Sequence, residues 1–364
     1  MAVETLTVRN LSRATLARQM LLARERVGVI EAIERLGGLQ AQEPRPPFAG
    51  LWTRLEGFGT EDLRGALHAR DVVRGTLMRA TLHLASARDY AAFRPALQPV
   101  LTDAMRALGS RAKGLDLDAV LPAARELVAE EPRTFNELRA LLSAAFPDVN
   151  ERALGYSVRM NLPLVMVPSE DRFGFPRTAR FTLADEWIGA PTAGDAEGLA
   201  LRYLAAFGPA TAADLQTWSG LRGTAAVLDG LRERLAVFAD ERGRELFDLP
   251  DAPRPGGDVP APPRLLPDFD SVLLAHADRS RVIADEHRPA VVTKNLRVKA
   301  TFLVDGVVAG TWAAQRKGAS AKLALSPFAK LRKRDATALA AEAEALLRFL
   351  EDDARTFDVR VGPV

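Results

Sequence analysis

Residues 134–146, TFNELRALLSAAF, run into DVNERALGYSVRMN (148–161), then LPLVMVPS (162–169) and RFGFPRTARFTL (172–183), and this succession decides the fold. Thr134 reads as the N-cap of an amphipathic helix, because a threonine oxygen can accept from the first free backbone N–H groups. Asp148 reads as the start of a second helix, and the two β-rich runs as a two-stranded wing. The same grammar returns downstream. A helix over 196–207 precedes Gly208-Pro209, Thr211 opens TAADLQTWSG, GTAAVLDGLRERL follows, and LAVFADERGRELFDL closes as a hairpin around Arg242-Gly243. A helix-turn-helix followed by a wing, written twice, is a repeat, and a repeat outweighs any single element.

Working outward, the N-terminal part fits the same scheme less regularly. Helices are expected over 12–24 (Ser12 as cap), 27–36 (stopped by Gly37-Gly38), 48–55 and 60–70 (Thr60 as cap). Glu43-Pro-Arg-Pro-Pro is excluded from any helix interior. Residues 72–85 read as a strand pair, the wing of a further module. Residues 250–263, PDAPRPGGDVPAPP, read as a linker. Beyond it DSVLLAHA, AVVTKN, VKATFLVDGVVAGTWAA and AKLALSP are strand-like, Asp305-Gly306 signals a type I′ hairpin, and 335–353 is an amphipathic helix. The expected class is α+β: tandem winged-helix modules over 1–125, 126–192 and 193–250, and a small C-terminal β-domain over 264–364.

Composition narrows the function. There is no cysteine among the 364 residues, so disulfides, thiolate zinc sites and cysteine nucleophiles are excluded. No apolar run has membrane-spanning length and no signal peptide is recognisable, which points to the cytoplasm. The net charge is only +2, yet six of seven lysines follow residue 290 (Lys294, Lys299, Lys317, Lys322, Lys330 and Lys333), with Arg297, Arg316, Arg332 and Arg334 among them. That segment suits a phosphate-facing surface, although a solvated charged face has the same composition. No Walker loop, dinucleotide fingerprint or Ser-His-Asp order is present. The early lysine, Lys113, falls in a loop and offers no imine-forming amine.

Leu39-Gln40-Ala41-Gln42-Glu43-Pro44, the run from Leu77 to Leu84 (LMRATLHL), His276-Ala277-Asp278-Arg279, and Leu303 to Trp312 (LVDGVVAGTW) together resemble the winged-helix DNA glycosylases of the AlkZ and YcaQ type. The resemblance spans most of the chain. It implies tandem winged helices and a β-domain curved around DNA, acting as a monomer on duplex DNA that carries alkylated bases, with no metal or organic cofactor. The family signature is Gln, an aliphatic residue, then Gln or Asp. Gln40-Ala41-Gln42 has the Gln-x-Gln form, that of the branch acting on bulky minor-groove adducts and interstrand crosslinks.

The resemblance assigns catalysis to Gln40 and Gln42. An N3- or N7-alkylated purine is cationic and leaves as a neutral base, so the remaining barrier is the oxocarbenium sugar and the placing of a water. A glutamine amide oxygen can accept from that water, but it is no strong base. In an extended segment both amides point the same way and Ala41 the other. From spacing alone, two polar residues after a Gly-Gly stop also make an ordinary capped turn. Arg79 and His83 are expected to share a strand face and, with Thr81, to contact DNA; a satisfied structural histidine is the plainer alternative. His276, Asp278, Arg279 and Arg281 are expected as a polar cluster at a strand end, serving DNA or a turn. Asp305 and Gly306 are expected as a groove-entering hairpin tip, with Thr311, Trp312, Arg316 and Lys317 along it. The rival functions are a non-catalytic winged-helix regulator and a protein that sequesters a genotoxic metabolite. The helices GTAAVLDGLRERL and NERALGYSVRMN carry few base-reading side chains, which weighs against a regulator.

Overall fold

The computed structural model describes residues 3–189, 193–293 and 297–362. It is the expected α+β chain, with three sheets among its helices. The repeated grammar has a chemical basis. Thr134 caps Phe135–Ala145, its Oγ1 accepting from the Glu137 N–H at 3.2 Å while the Glu137 carboxylate accepts from the Thr134 N–H at 2.8 Å. Thr211 caps Ala212–Ser219 identically, with Asp214 as partner at 3.1 and 2.9 Å. Each reciprocal cap satisfies two orphan donors. Helices Glu151–Asn161 and Thr224–Gly230 follow. Then come antiparallel hairpins, Leu164–Met166 with Arg180–Leu183 and Ala236–Asp240 with Glu245–Asp248. The likeness extends to the approach. Arg133–Thr134 pairs with Phe181 and Arg180, and Ala210, just before Thr211, bridges Phe247. The order is consistent with winged-helix units.

The largest sheet has six strands in the order Leu39–Gln40, Leu82–Ser86, Val72–Thr76, Leu164–Met166, Arg180–Leu183, Arg133–Thr134. The first two expected modules therefore share one sheet, joined at Gly75 opposite Val165. Gly75 is required there, since a Cβ would lie 2.5 Å from the Tyr90 ring and 2.9 Å from the Leu164 carbonyl. The sheet is covered on both faces. Leu82 and Leu84 enter one core with Leu39 and Ala41, while Val73 and Ala85 enter another with Tyr90 and Trp218.

The C-terminal sheet runs Arg264–Leu266, Thr301–Val304, Val307–Lys317, Ser320–Pro327, Thr356–Val361. Asp305 and Gly306 turn its first hairpin with φ of 48° and 81°, as a type I′ turn needs. Helix Lys333–Leu350 packs on this sheet through Leu339, Ala343, Leu346 and Leu347. The third sheet joins Thr5–Leu6, in parallel, to Ala236–Asp240. Among the described residues no helix is long and apolar enough to cross a membrane.

Several boundaries differ from expectation. The first helix is Val8–Arg18, because Thr7 and Asn10 form a reciprocal cap upstream of Ser12. Thr60 is inside its helix rather than capping it; Gly59 is the cap, and the Asp62 carboxylate accepts its N–H at 2.8 Å. Asn150, not Asp148, caps Glu151–Asn161. The prolines 46 and 47 sit in the first turn of Arg45–Arg54, where a missing N–H costs nothing. DSVLLAHA is no strand, because the Asp270 side chain caps a short 3-10 turn, Ser271–Leu273. In AVVTKN the described part begins with the end of helix Arg288–Val291, and Lys294 and Asn295 lie outside the described residues.

Candidate active site

Two consecutive left-handed glycines deliver the site. Gly37 and Gly38, at φ 68° and 85°, end the helix Val29–Arg35 and turn the chain into the edge strand Leu39–Gln40. There Leu39 pairs with Leu84 and Gln40 with His83. Pairing continues past the strand, as the Ala41 N–H donates to the Leu82 carbonyl at 2.7 Å and the Leu82 N–H to the Gln42 Oε1 at 3.0 Å. Leu39 and Ala41 are buried in the core, so alternation puts Gln40 on the opposite face; Gln42 lies in a bend past the strand with its amide oxygen on the Leu82 N–H, so strand alternation does not extend to it. Gln40 is 8% exposed, whereas Gln42 is open to solvent.

Two arginines hold this segment. The Arg79 guanidinium donates to Gln40 Oε1 at 2.9 Å and to the Trp218 carbonyl. Arg74 donates to the carbonyls of Ala41 at 2.9 Å and Gln42 at 3.1 Å. Neither arginine meets a carboxylate among the described residues. Burial pushes the pKa of each down to about 10, helped at Arg79 by Arg279 and at Arg74 by Arg159. Both stay cationic at neutral pH. His83, beside Gln40, is buried, and burial followed by the Arg79 charge pushes its pKa down to about 3. Its neutral ring meets the Thr81 carbonyl through Nδ1 at 3.0 Å, and Nε2 has no partner among the described residues.

These contacts correct three expectations. Arg79 is not on a strand with His83. It sits in the tight turn between strands, at φ 55°, and the two groups meet at Gln40. His83 is a buried neutral imidazole, unsuited to holding a phosphate. Both glutamine oxygens already accept one internal hydrogen bond, so what each amide has unpaired among the described residues is its NH2 group and a second lone pair.

Just past the glutamines along the chain, Glu43 and Arg45 help line a cavity of ≈ 480 Å³ that neither glutamine lines. Its lining includes Glu43, Arg45, Asp268, Arg297, Lys299, Thr311 and Trp312, with an alanine-rich wall. A recess with room for the centre of about one water (≈ 10 Å³) adjoins it, lined by Gln40, Pro46, Pro267, Asp268 and Phe269 among others. Thr311 and Trp312 thus belong to the cavity, and the Trp312 Nε1 donates to the Leu266 carbonyl at 2.9 Å. Lys299 was unexpected here: no lysine is near Gln40 in sequence, yet this one lines the adjoining cavity. Arg74 and Asp268 also escaped the sequence reading. The signal available for Asp268 was the Pro267-Asp268-Phe269-Asp270 run just past the linker.

The remaining expected contacts lie apart from this site. His276 is fully buried under the third unit, its Nε2 meeting the Phe207 carbonyl at 3.0 Å, and burial with the Arg281 charge pushes its pKa down to about 3. Arg281 is buried on the Pro209 carbonyl at 3.0 Å and the Thr15 hydroxyl at 3.3 Å. Asp278 pairs with Arg244 at 2.7 Å and Arg242 at 3.2 Å. His276 and Arg281 are thus structural, and the cluster follows a 3-10 turn rather than a strand. Arg279 is half-buried, its Nε 3.4 Å from the His276 carbonyl. The Asp305-Gly306 tip does not project. Asp305 binds Arg13 at 2.5 Å and Arg9 at 2.9 Å, and Gly306 abuts Arg13 and Leu16. Arg316 is tied to Asp353 at 2.7 Å. Lys317, Lys330, Arg332 and Lys333 are exposed with no acidic partner among the described residues. Thr81 turns its hydroxyl onto the Met78 carbonyl at 3.1 Å.

A family model described as DNA glycosylase AlkZ-like matches residues 33–349. Among solved structures, the Streptomyces sahachiroi DNA glycosylase AlkZ is similar over 98% of this chain and 100% of its own, at a TM-score of 0.82 and 21% identity, a likeness of fold. No curated protein sequence matches the chain.

Proposed function

The chain belongs to the AlkZ-like DNA glycosylase family, and on that premise we propose that it hydrolyses the N-glycosidic bond of cationic alkylated purines in duplex DNA, bulky adducts and interstrand crosslinks included, with Gln40 and Gln42 at the reacting sugar. One observation supports the assignment: Gln40, at the end of the edge strand, lines a recess beside the ≈ 480 Å³ cavity while Arg79 holds its amide oxygen. Arg79 and Arg74 fix the Gln40 side chain and the backbone around Ala41 and Gln42. A fixed dipole loses little reorganisation energy when charge develops. The base leaves neutral, which suits a site whose histidine is held unprotonated. The products are the free base and an abasic sugar.

Hydrolysis is proposed without a covalent imine. Desolvation in an apolar pocket is one route to a nucleophilic lysine, and Lys299 is exposed. A regulator is no longer the competing reading, since the family is one of DNA glycosylases. The test is single-turnover release of base from duplexes carrying N7-methylguanine, N3-methyladenine or uracil. The first two are expected to be released and uracil retained. Gln40→Ala and Gln42→Ala should each slow release ~10²-fold or more, the order lost with one preorganised contact. Normal rates in both variants would remove the glutamines from the mechanism. Borohydride should trap no protein–DNA adduct; a trapped adduct lost in Lys299→Ala would replace hydrolysis by imine chemistry.

A further inference from the structure

Neither glutamine can take a proton from water, so the proposed reaction lacks an acceptor for it. The geometry points to Asp268 as a further catalytic residue, the base that receives the proton of a water held between its carboxylate and the Gln40 amide. This rests on Gln40 and Gln42 marking the reacting site.

Asp268 lines both the one-water recess that contains Gln40 and the ≈ 480 Å³ cavity beyond it, as do Pro46 and Pro267. It stands where the recess opens. Gln40 is nine-tenths buried against this recess, and its Nε2 has no partner among the described residues. With Oε1 committed to Arg79, Nε2 is the group left to donate to a water oxygen. The Asp268 carboxylate, 28% exposed, has Arg297 at 3.5 Å, a distance at which a hydrogen bond is weak, and no closer cation among the described residues. Its neighbour Asp270 is the opposite case, fully engaged by Arg54 through two bonds of 2.9 Å. Between them Phe269 is left-handed at φ 60°, its N–H held by the Val298 carbonyl at 3.1 Å. The chain is thus pinned on one side of Asp268, while Asp268 itself is left available. Glu43 lines the cavity but not the recess and is 53% exposed, which makes it the weaker choice. The other charged groups facing Asp268 across these walls are Arg45, Arg297 and Lys299 on the cavity side and Asp270 on the recess side.

The step balances. The C1′–N bond breaks and its electron pair leaves with the base, which turns from cation to neutral. The water oxygen bonds to C1′, and one water proton passes to Asp268.

The test is single-turnover release of N7-methylguanine across pH, with DNA affinity and melting temperature measured on the same samples. Wild-type protein should slow on the acid side as a carboxylate protonates. Asp268→Asn should lose ~10²-fold or more, the scale of general-base contributions, and lose the acid limb, with DNA affinity unchanged. Asp268→Glu should keep the limb and recover part of the rate, which covers the case in which Asp268→Asn folds poorly. Asp268→Asn within threefold of wild type, beside a crippled Gln40→Ala, would overturn this inference and leave the glutamine site standing. Normal rates in both variants would overturn the two together. Equal losses in the Asn and Glu variants with an unaltered pH profile would reduce Asp268 to a structural role.

Discussion

Replacing Arg79 by methionine separates a residue that positions Gln40 from one that grips DNA. The change removes a cation and leaves two acceptors, Gln40 Oε1 at 2.9 Å and the Trp218 carbonyl, without their donor. A hydrogen bond from a charged donor contributes roughly 1.5–3 kcal/mol. If that hold is spent on orienting Gln40, its loss slows the chemical step by about 10- to 150-fold. Stability should change less. Two unpaired acceptors cost about 1–3 kcal/mol each, but a desolvated guanidinium without a carboxylate is itself costly to bury, and the two effects oppose. The assay is single-turnover release of N7-methylguanine at saturating protein, alongside anisotropy measurements of DNA affinity at several salt concentrations. The expected result is a slow step at saturation with nearly unchanged affinity. A normal saturated rate with weakened affinity, and a salt slope reduced by about one, would refute the reasoning and return Arg79 to the phosphate backbone.

Gly75→Ala should destabilise the protein by about 1–3 kcal/mol in urea unfolding, because its Cβ would lie 2.5 Å from the Tyr90 ring and 2.9 Å from a backbone carbonyl. Asp270→Ala strips Arg54 of its buried carboxylate, and a loss of about 3–5 kcal/mol should appear as a markedly earlier thermal transition. His83 and His276 are held neutral, with pKa values pushed down to about 3. The unfolded chain therefore binds protons near pH 6.5 that the folded one refuses. Stability should be full above that pH and fall as pH drops from it towards 3, seen as a decreasing melting temperature. Affinity for undamaged duplex should fall steeply with salt and vary little with sequence, given the unpaired cations around Lys317 and Lys330 to Lys333; salt-resistant binding to one sequence would contradict this.

The parts of the fold that could be read from sequence are those settled by local chemistry. Thr134 and Thr211 each carry their capping partner three residues on, Gly37-Gly38 can only stop a helix, and Asp305-Gly306 can only turn tightly. What escaped was settled by distant residues. Thr356–Val361 becomes a strand because Ser320–Pro327 offers it an edge. The Ser271–Leu273 segment becomes a turn because the Asp270 side chain both caps it and binds Arg54. At the site, Gln40 and Gln42 were legible as a motif, but the extended segment that would give them a shared face ends at Gln40. That His83 is neutral and that Arg79 serves Gln40 depend on burial and tertiary contact, and that Asp268 and Lys299 stand nearby depends on approach across more than two hundred residues. No local pattern encodes these.

The first helix, Val8–Arg18, has a consequence for how the chain is made. Arg13 binds Val259 and Asp305, Arg18 binds Asp248 and the Leu204 carbonyl, and Thr5–Leu6 pairs with Ala239–Asp240. Every one of these partners lies about two hundred residues or more downstream. Synthesis proceeds at about 5–20 residues per second, so this helix leaves the ribosome some ten seconds or more before its first binding surface exists. Through that interval Leu11 and Leu16, buried in the finished protein, are exposed on an amphipathic helix. This helix thus docks only after about two hundred further residues have been made.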